Sequence, residues 1–161
     1  MALITEDMRR IVEDAMLSYV ATVRPDGAPN LSPKGSVRVY DDEHLAFMDM
    51  ASPGTVANLR RDPRVEVNSI DVVRRRGYRF RGTAEVRDPG DAVHTWLADW
   101  LLAANGPGYP FHHAVVIHVD EIRPVLSPAY TFGEATEEEL IPAWKARYSA
   151  IGITQAERNL A

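Results

Sequence analysis

The chain contains no cysteine. That absence removes disulfides, thiolate metal sites and cysteine nucleophiles together, and it fits a reducing compartment. Long apolar runs are missing too. The longest, Trp100 to Ala104, falls far short of the roughly 20 residues that a membrane-spanning helix needs. There is no excess of positive charge: 18 Lys+Arg against 23 Asp+Glu leave a net charge of −5, which disfavours a general binder of nucleic acid or anionic membrane. Neither a G-x-G-x-x-G fingerprint nor a regular strand–helix alternation is present, which weighs against a Rossmann-type sheet. The first sixteen residues carry Glu6, Asp7, Glu13 and Asp14 among apolar positions, unlike the basic start and unbroken apolar core of a signal peptide. The expectation is a cytoplasmic protein with no nucleic-acid or membrane partner.

What remains is globular in composition, with 45% hydrophobic and 25% charged residues. A chain of 161 residues fits one domain, here 1–161, in which folding buries roughly 70% of the extended surface. From Thr5, a plausible N-cap, Met8, Ile11, Val12, Ala15 and Met16 fall on one helical face. Tyr19 to Val23 reads as a strand, and Pro25-Asp26-Gly27 as the turn into a second arm, Asn30 to Tyr40, interrupted by Pro33 and Gly35. Leu45 to Met50 is a third strand. Ser52 followed by Pro53 marks a helix start, with the helix running through Asn58 to Arg61.

Arg64 to Ile70 is strand-like, and the basic loop Arg74-Arg75-Arg76-Gly77 leads into the alternating stretch Tyr78 to Val86. Asp88 and Pro89 cap a helix with the stripe Val93, Trp96, Leu97, Trp100 and Leu101, the two tryptophans reading as core. Ala114 to Val119 is the last strand. Beyond Pro124 the chain reads as irregular until a capping box of Thr136 and Glu139, with a kink or restart at Pro142, which defines a C-terminal helical tail of about 124–161. The pattern predicts a mainly β protein with flanking helices, a six-stranded antiparallel sheet curled into a small barrel.

The strongest chemical signal lies between Ser32 and Asn58. A helix N-terminus offers unpaired N–H groups and partial positive charge, Ser52, Gly54 and Thr55 add hydroxyls and backbone access, and Lys34 can bring a full charge. An anion suits that place. His44, His94 and His118 show no ligand spacing with acids or with one another, so no metal site is predicted. His112-His113 reads as a surface pair and Arg74 to Arg76 as a solvated loop.

The run from Ala21 to Gly35, then Leu45 to Met50, Thr55 to Val65 and Tyr78 to Val86 with Arg81-Gly82-Thr83-Ala84, resembles the pyridoxamine 5′-phosphate oxidase-like flavin-binding split barrels over most of residues 5 to 120. The resemblance implies an FMN-binding oxidoreductase, a six-stranded split barrel, acting as a homodimer on a small-molecule substrate or redox partner, with hydride or electrons carried by the flavin. It implies cofactor contacts from Ser32, Pro33 and Lys34 on one strand, Met48, Asp49, Met50 and Ala51 on another, and Ser52, Gly54 and Thr55 at the helix start, with Asn58 either contacting the cofactor or fixing the short helix. It assigns no catalytic side chain, and it makes Tyr130 and Trp144, in the tail with which related proteins often cover the flavin, candidates for shaping a substrate pocket. The alternatives are a non-catalytic flavin-binding or electron-carrier protein and a deazaflavin-dependent reductase, with deazaflavin or haem as the alternative cofactors. Two features depart from the family. Gly54 stands where many relatives place a lysine or arginine, and nothing after Ala114 supplies the Arg-x-His-type motif that recognises pyridoxamine 5′-phosphate.

Overall fold

The computed structural model describes residues 3–158, with side chains described to residue 152. Helix α1 (Glu6–Ala15) starts where Thr5 accepts a hydrogen bond from the Met8 N–H, and it buries Ile11 and Val12. Met16 falls outside the expected apolar face. It terminates the helix in the left-handed conformation and is exposed. Strands β1 (Ser18–Val23) and β2 (Pro29–Lys34) form the hairpin around Gly27, whose φ of 83° is the conformation that favours glycine. Next come β3 (Arg38–Val39), β4 (His44–Asp49), α2 (Pro53–Arg61), β5 (Arg64–Asp71) and β6 (Arg76–Arg87). The chain ends with α3 (Ala92–Asn105), β7 (His113–Leu126), α4 (Pro128–Phe132) and α5 (Glu137–Arg158).

The sheet has seven strands in the order β2-β1-β5-β6-β7-β4-β3, one more than the sequence predicts. The extra strand arises because the expected arm Asn30 to Tyr40 breaks at Gly35 and yields both β2 and β3. These two strands are the opposite edges of the sheet. At about 4.8 Å per strand, a flat seven-stranded sheet would hold its edges roughly 29 Å apart. The four residue steps from Lys34 to Arg38 reach about 14 Å at most. The sheet must therefore curl until its edges nearly meet, which is the half-open barrel. Ser36 holds the seam: its hydroxyl accepts from the Met48 N–H at 3.1 Å and lies 3.3 Å from the Met48 carbonyl.

Alternation along each strand separates two apolar layers. Leu45, Phe47, Val115, Ile117 and Val119 point into the barrel, with Val20, Val67 and Phe80. Ala46, Met48, Ala114 and Val116 point outward and are covered by Val93, Leu97 and Leu101 of α3. That helix is capped by Asp91, whose side chain accepts from the Val93 N–H, and not by the expected Asp88 and Pro89. Its tryptophans flank the buried stripe. Trp96 is 36% exposed and meets Tyr40 edge-on, and Trp100 lies under the Arg38 guanidinium at 3.8 Å.

Strand β7 runs past Pro124, where the sequence suggests irregular chain, as far as Leu126. The proline is tolerated because β4 pairs only with His113 to His118, so the far half of β7 has an open edge at which no N–H is needed. Helix α5 continues through Pro142, five residues after its start, in place of the expected kink or restart. The Thr136–Glu139 capping box forms as read. Among the described residues no helix is long and apolar enough to cross a membrane.

Candidate functional site

Strand β4 ends at Asp49, and the turn from there into α2 is fixed by that carboxylate. Its Oδ1 accepts the Ser52 N–H at 2.8 Å and the Ser52 hydroxyl at 3.0 Å. The consequence for α2 is unusual. Ser52 occupies the N-cap position but makes no side-chain cap hydrogen bond, because its hydroxyl is engaged by Asp49, and Pro53 has no N–H. The Gly54 N–H is left at an open helix start, and a Cβ there would meet nothing within 4 Å.

On the facing edge, β2 brings Lys34 to the same place. Its side chain is 7% exposed, and its ammonium donates to the Ser32 hydroxyl and, at 3.4 Å, to the Pro33 carbonyl. Burial lowers the Lys34 pKa, while the Asp49 carboxylate pulls it back toward the charged form. Ser32, Pro33, Lys34, Gly35 and Ser36 line one wall of a cavity of about 340 Å³, and Met48, Met50, Ala51 and Ser52 line the other. The seam between the sheet edges is thus also the cavity. It joins a buried cation, apolar walls and the N-cap residue of a helix whose Gly54 N–H has no partner among the described residues, while the Thr55 and Val56 N–H groups donate to the Ser52 carbonyl, an arrangement suited to an elongated ligand with an anionic group.

The remaining expected contacts lie behind this surface. Asp49 is 3% exposed and acts through Ser52. Thr55 and Asn58 are buried on the barrel side of α2, and the Asn58 amide donates to the Thr22 hydroxyl at 3.0 Å, tying the helix to β1. Asn58 is therefore placed as a structural fastener. Gly35 and Ser36 were missed by sequence reading because their place in the cavity follows from the closure of the barrel.

His112 and His113 line a separate cavity of about 320 Å³ with Arg60, Pro53 and Val56, which shares Asp49 and Ala51 with the first region. His112 is exposed, as read, and His113 is partly buried, its Nδ1 3.2 Å from an Asp88 carboxylate oxygen. Arg74 and Arg76 are engaged within the chain: Arg76 donates to Asp7 at 2.8 and 3.0 Å, and both arginines donate to Glu137, at 2.8 and 2.9 Å. Tyr130 donates to the Arg74 carbonyl and Trp144 stacks on Arg75 at 4.1 Å, so both fasten the tail to the β5–β6 turn, and neither lines the Lys34 cavity.

The Arg76 guanidinium, the Tyr78 hydroxyl and Arg10 hold the Asp7 carboxyl far below the usual aspartate range. A carboxylate with a depressed folded-state pKa contributes stability above its unfolded value of about 3.9 and loses that contribution as pH falls below it. Asp7→Asn should therefore lower the melting temperature at pH 7 and do so by a smaller margin at pH 3. An unchanged margin would show that Asp7 does not carry this coupling.

A curled antiparallel sheet, a short helix starting at the seam and a cavity between the sheet edges define a split-barrel protein. Residues 4–126 match the pyridoxamine 5′-phosphate oxidase family, and the chain belongs to it. HupZ of Group A Streptococcus is 32% identical, with a TM-score of 0.68 over 77% of this chain and 95% of that one. An FMN-binding protein of Syntrophomonas wolfei is 15% identical, with a TM-score of 0.64 over 75% of this chain and 86% of that one, a likeness of fold. The uncharacterized protein MJ0282 of Methanocaldococcus jannaschii is 27% identical over 121 residues, 74% of this chain and 78% of that one.

Proposed function

We propose that the chain is an FMN-binding oxidoreductase that passes hydride or electrons to a small molecule. The observation that carries this reading is the cavity lined on one wall by the buried Lys34 and on the other by Met48, Met50 and Ser52, the N-cap residue of α2. Lys34, Ser52 and the Gly54 N–H would hold the anionic end of the cofactor, and Met48, Met50 and Pro33 would pack against its ring system. Bound flavin supplies the redox chemistry, and the chain supplies position, exclusion of water and charge. The substrate is a small molecule other than pyridoxamine 5′-phosphate, since Arg74 and Arg76 are committed to Asp7 and Glu137 and do not replace the missing recognition motif.

The working form in this reading is a homodimer. A cavity of about 340 Å³ lies near the lower end of the roughly 300–1,000 Å³ usual for ligand sites. Beside it, Tyr19 and Leu31 are 43% and 64% exposed, on the same sheet face as Pro33, an apolar rim that a second copy would cover.

The test is the absorbance spectrum of the full chain purified with added FMN, followed by aerobic NAD(P)H oxidation and light scattering. A bound flavin, turnover and twice the 18.0 kDa chain mass are expected. Failure to retain flavin would overturn the cofactor assignment, and retained flavin without turnover would leave an electron carrier. A bound deazaflavin would be recognised by its own spectrum.

A further inference from the structure

We propose that His44 and His118 form a two-imidazole site for a divalent transition-metal ion of the Zn²⁺, Cu²⁺ or Ni²⁺ class. The residues are 74 positions apart, so no spacing motif reveals them. Strand pairing sets them directly opposite each other on β4 and β7, on the outer face that also carries Ala46 and Val116. Their rings meet edge to face with centroids 5.3 Å apart.

Each ring has its own carboxylate. The Nδ1 of His44 lies 2.8 Å from Asp41 Oδ1, and the Nδ1 of His118 lies 3.1 Å from Asp120 Oδ1. A carboxylate at Nδ1 favours the tautomer with its proton there, which leaves the Nε2 lone pair available; this is the carboxylate–histidine arrangement that orients metal ligands. Asp120 owes its position to a bulge. Arg81 pairs with Glu121 and Gly82 with Val119, so Asp120 is the extra residue on β7.

Both histidines line one cavity of about 200 Å³ with Tyr40, Asp41, Thr83, Glu85 and Arg87, which shares no lining residue with the Lys34 cavity. The Arg87 charge is met by Glu85 and by Asp91, the latter at 3.8 Å, leaving the two aspartates to favour a cation. Imidazole ligands suit the borderline metals over Mg²⁺ or Ca²⁺. Among the described residues no group of three or more His, Cys, Asp or Glu side chains is arranged to hold an ion, so the protein supplies two ligands and water completes the shell. The site is therefore exchangeable and open to a further small ligand on the metal.

The experiment is calorimetric titration of the tag-free full chain with ZnCl₂ and with CuCl₂, alongside H44A, H118A, D120N and the double variant H112A/H113A. One ion per chain is expected. H44A and H118A should each weaken binding by at least about tenfold, as should D120N, within the roughly 10- to 100-fold usual for loss of such a partner. Zn²⁺ should raise the melting temperature of the wild type and leave that of H44A unchanged. Both histidines are partly exposed, with side chains 29% and 44% accessible, and melting curves without metal confirm that the variants fold. Binding retained in both single variants, binding lost in H112A/H113A, or no binding by the wild type would overturn the assignment.

Discussion

Lys34→Met should weaken FMN binding by roughly 10- to 150-fold while leaving the unliganded protein as stable as the wild type or more so. The two effects have separate causes. A hydrogen bond between charged groups contributes about 1.5–3 kcal/mol, which converts to that range of affinity. In the unliganded fold the ammonium is buried, and burial already works against its charge. Removing a charge that is partly desolvated relieves a cost, and the methionine chain fills a similar volume against Phe47. Fluorescence quenching on FMN titration and a thermal melt read the two quantities independently. Unchanged affinity with the fold intact would remove Lys34 from the site. Lost stability would show that its ammonium is a structural group.

Gly82→Ala should strongly destabilise the fold. A Cβ at Gly82 would stand 2.0 Å from the His118 carbonyl oxygen and 3.1 Å from an Ile117 side-chain atom, and the first of these is backbone that cannot swing aside. The close approach occurs at the bulge between β6 and β7, the longest strand pair of the sheet. Glycine is needed here for space. Overpacking in a core costs about 1–3 kcal/mol where side chains can adjust, and more is expected where backbone must move. For a chain of this size 3 kcal/mol corresponds to a fall of roughly 6–12 °C in melting temperature. A change of less than about 2 °C would mean that the bulge adjusts freely.

The local signals in the sequence carried a large part of the fold. The Pro25-Asp26-Gly27 turn, the Ser52-Pro53 helix start, the Thr136–Glu139 box and the alternation of Tyr78 to Val86 all mark elements that form where they are read. What stayed hidden depends on contacts between distant residues. Gly35 splits one apparent arm into the two edges of the sheet, and only the closure of the barrel shows why three residues can join them. Pro124 reads as a strand breaker until β7 is seen to have a free edge there. Asp88 and Pro89 look as good a helix start as Asp91, and the choice is made by the packing of Val93 and Leu97 onto Met48 and Val116.

The same division holds at the candidate site. Lys34 and Ser52 stand out by residue type and position, the family resemblance adds Ser32, Met48, Met50 and Ala51, and the structure brings all six into one cavity. Asn58 stood out equally and is turned to Thr22. Type and spacing alone do not tell a cavity-lining residue from a fastener along the same helix.

In the proposed reading the Lys34 cavity and the Gly54 N–H at the start of α2 together receive an anionic flavin. The most direct measurement is a side-by-side calorimetric titration of the full chain with FMN and with riboflavin, which share a ring system and differ in the phosphate. A preference for FMN of at least about tenfold is expected, from a charge-assisted contact of about 1.5–3 kcal/mol. Equal affinity for the two would contradict it.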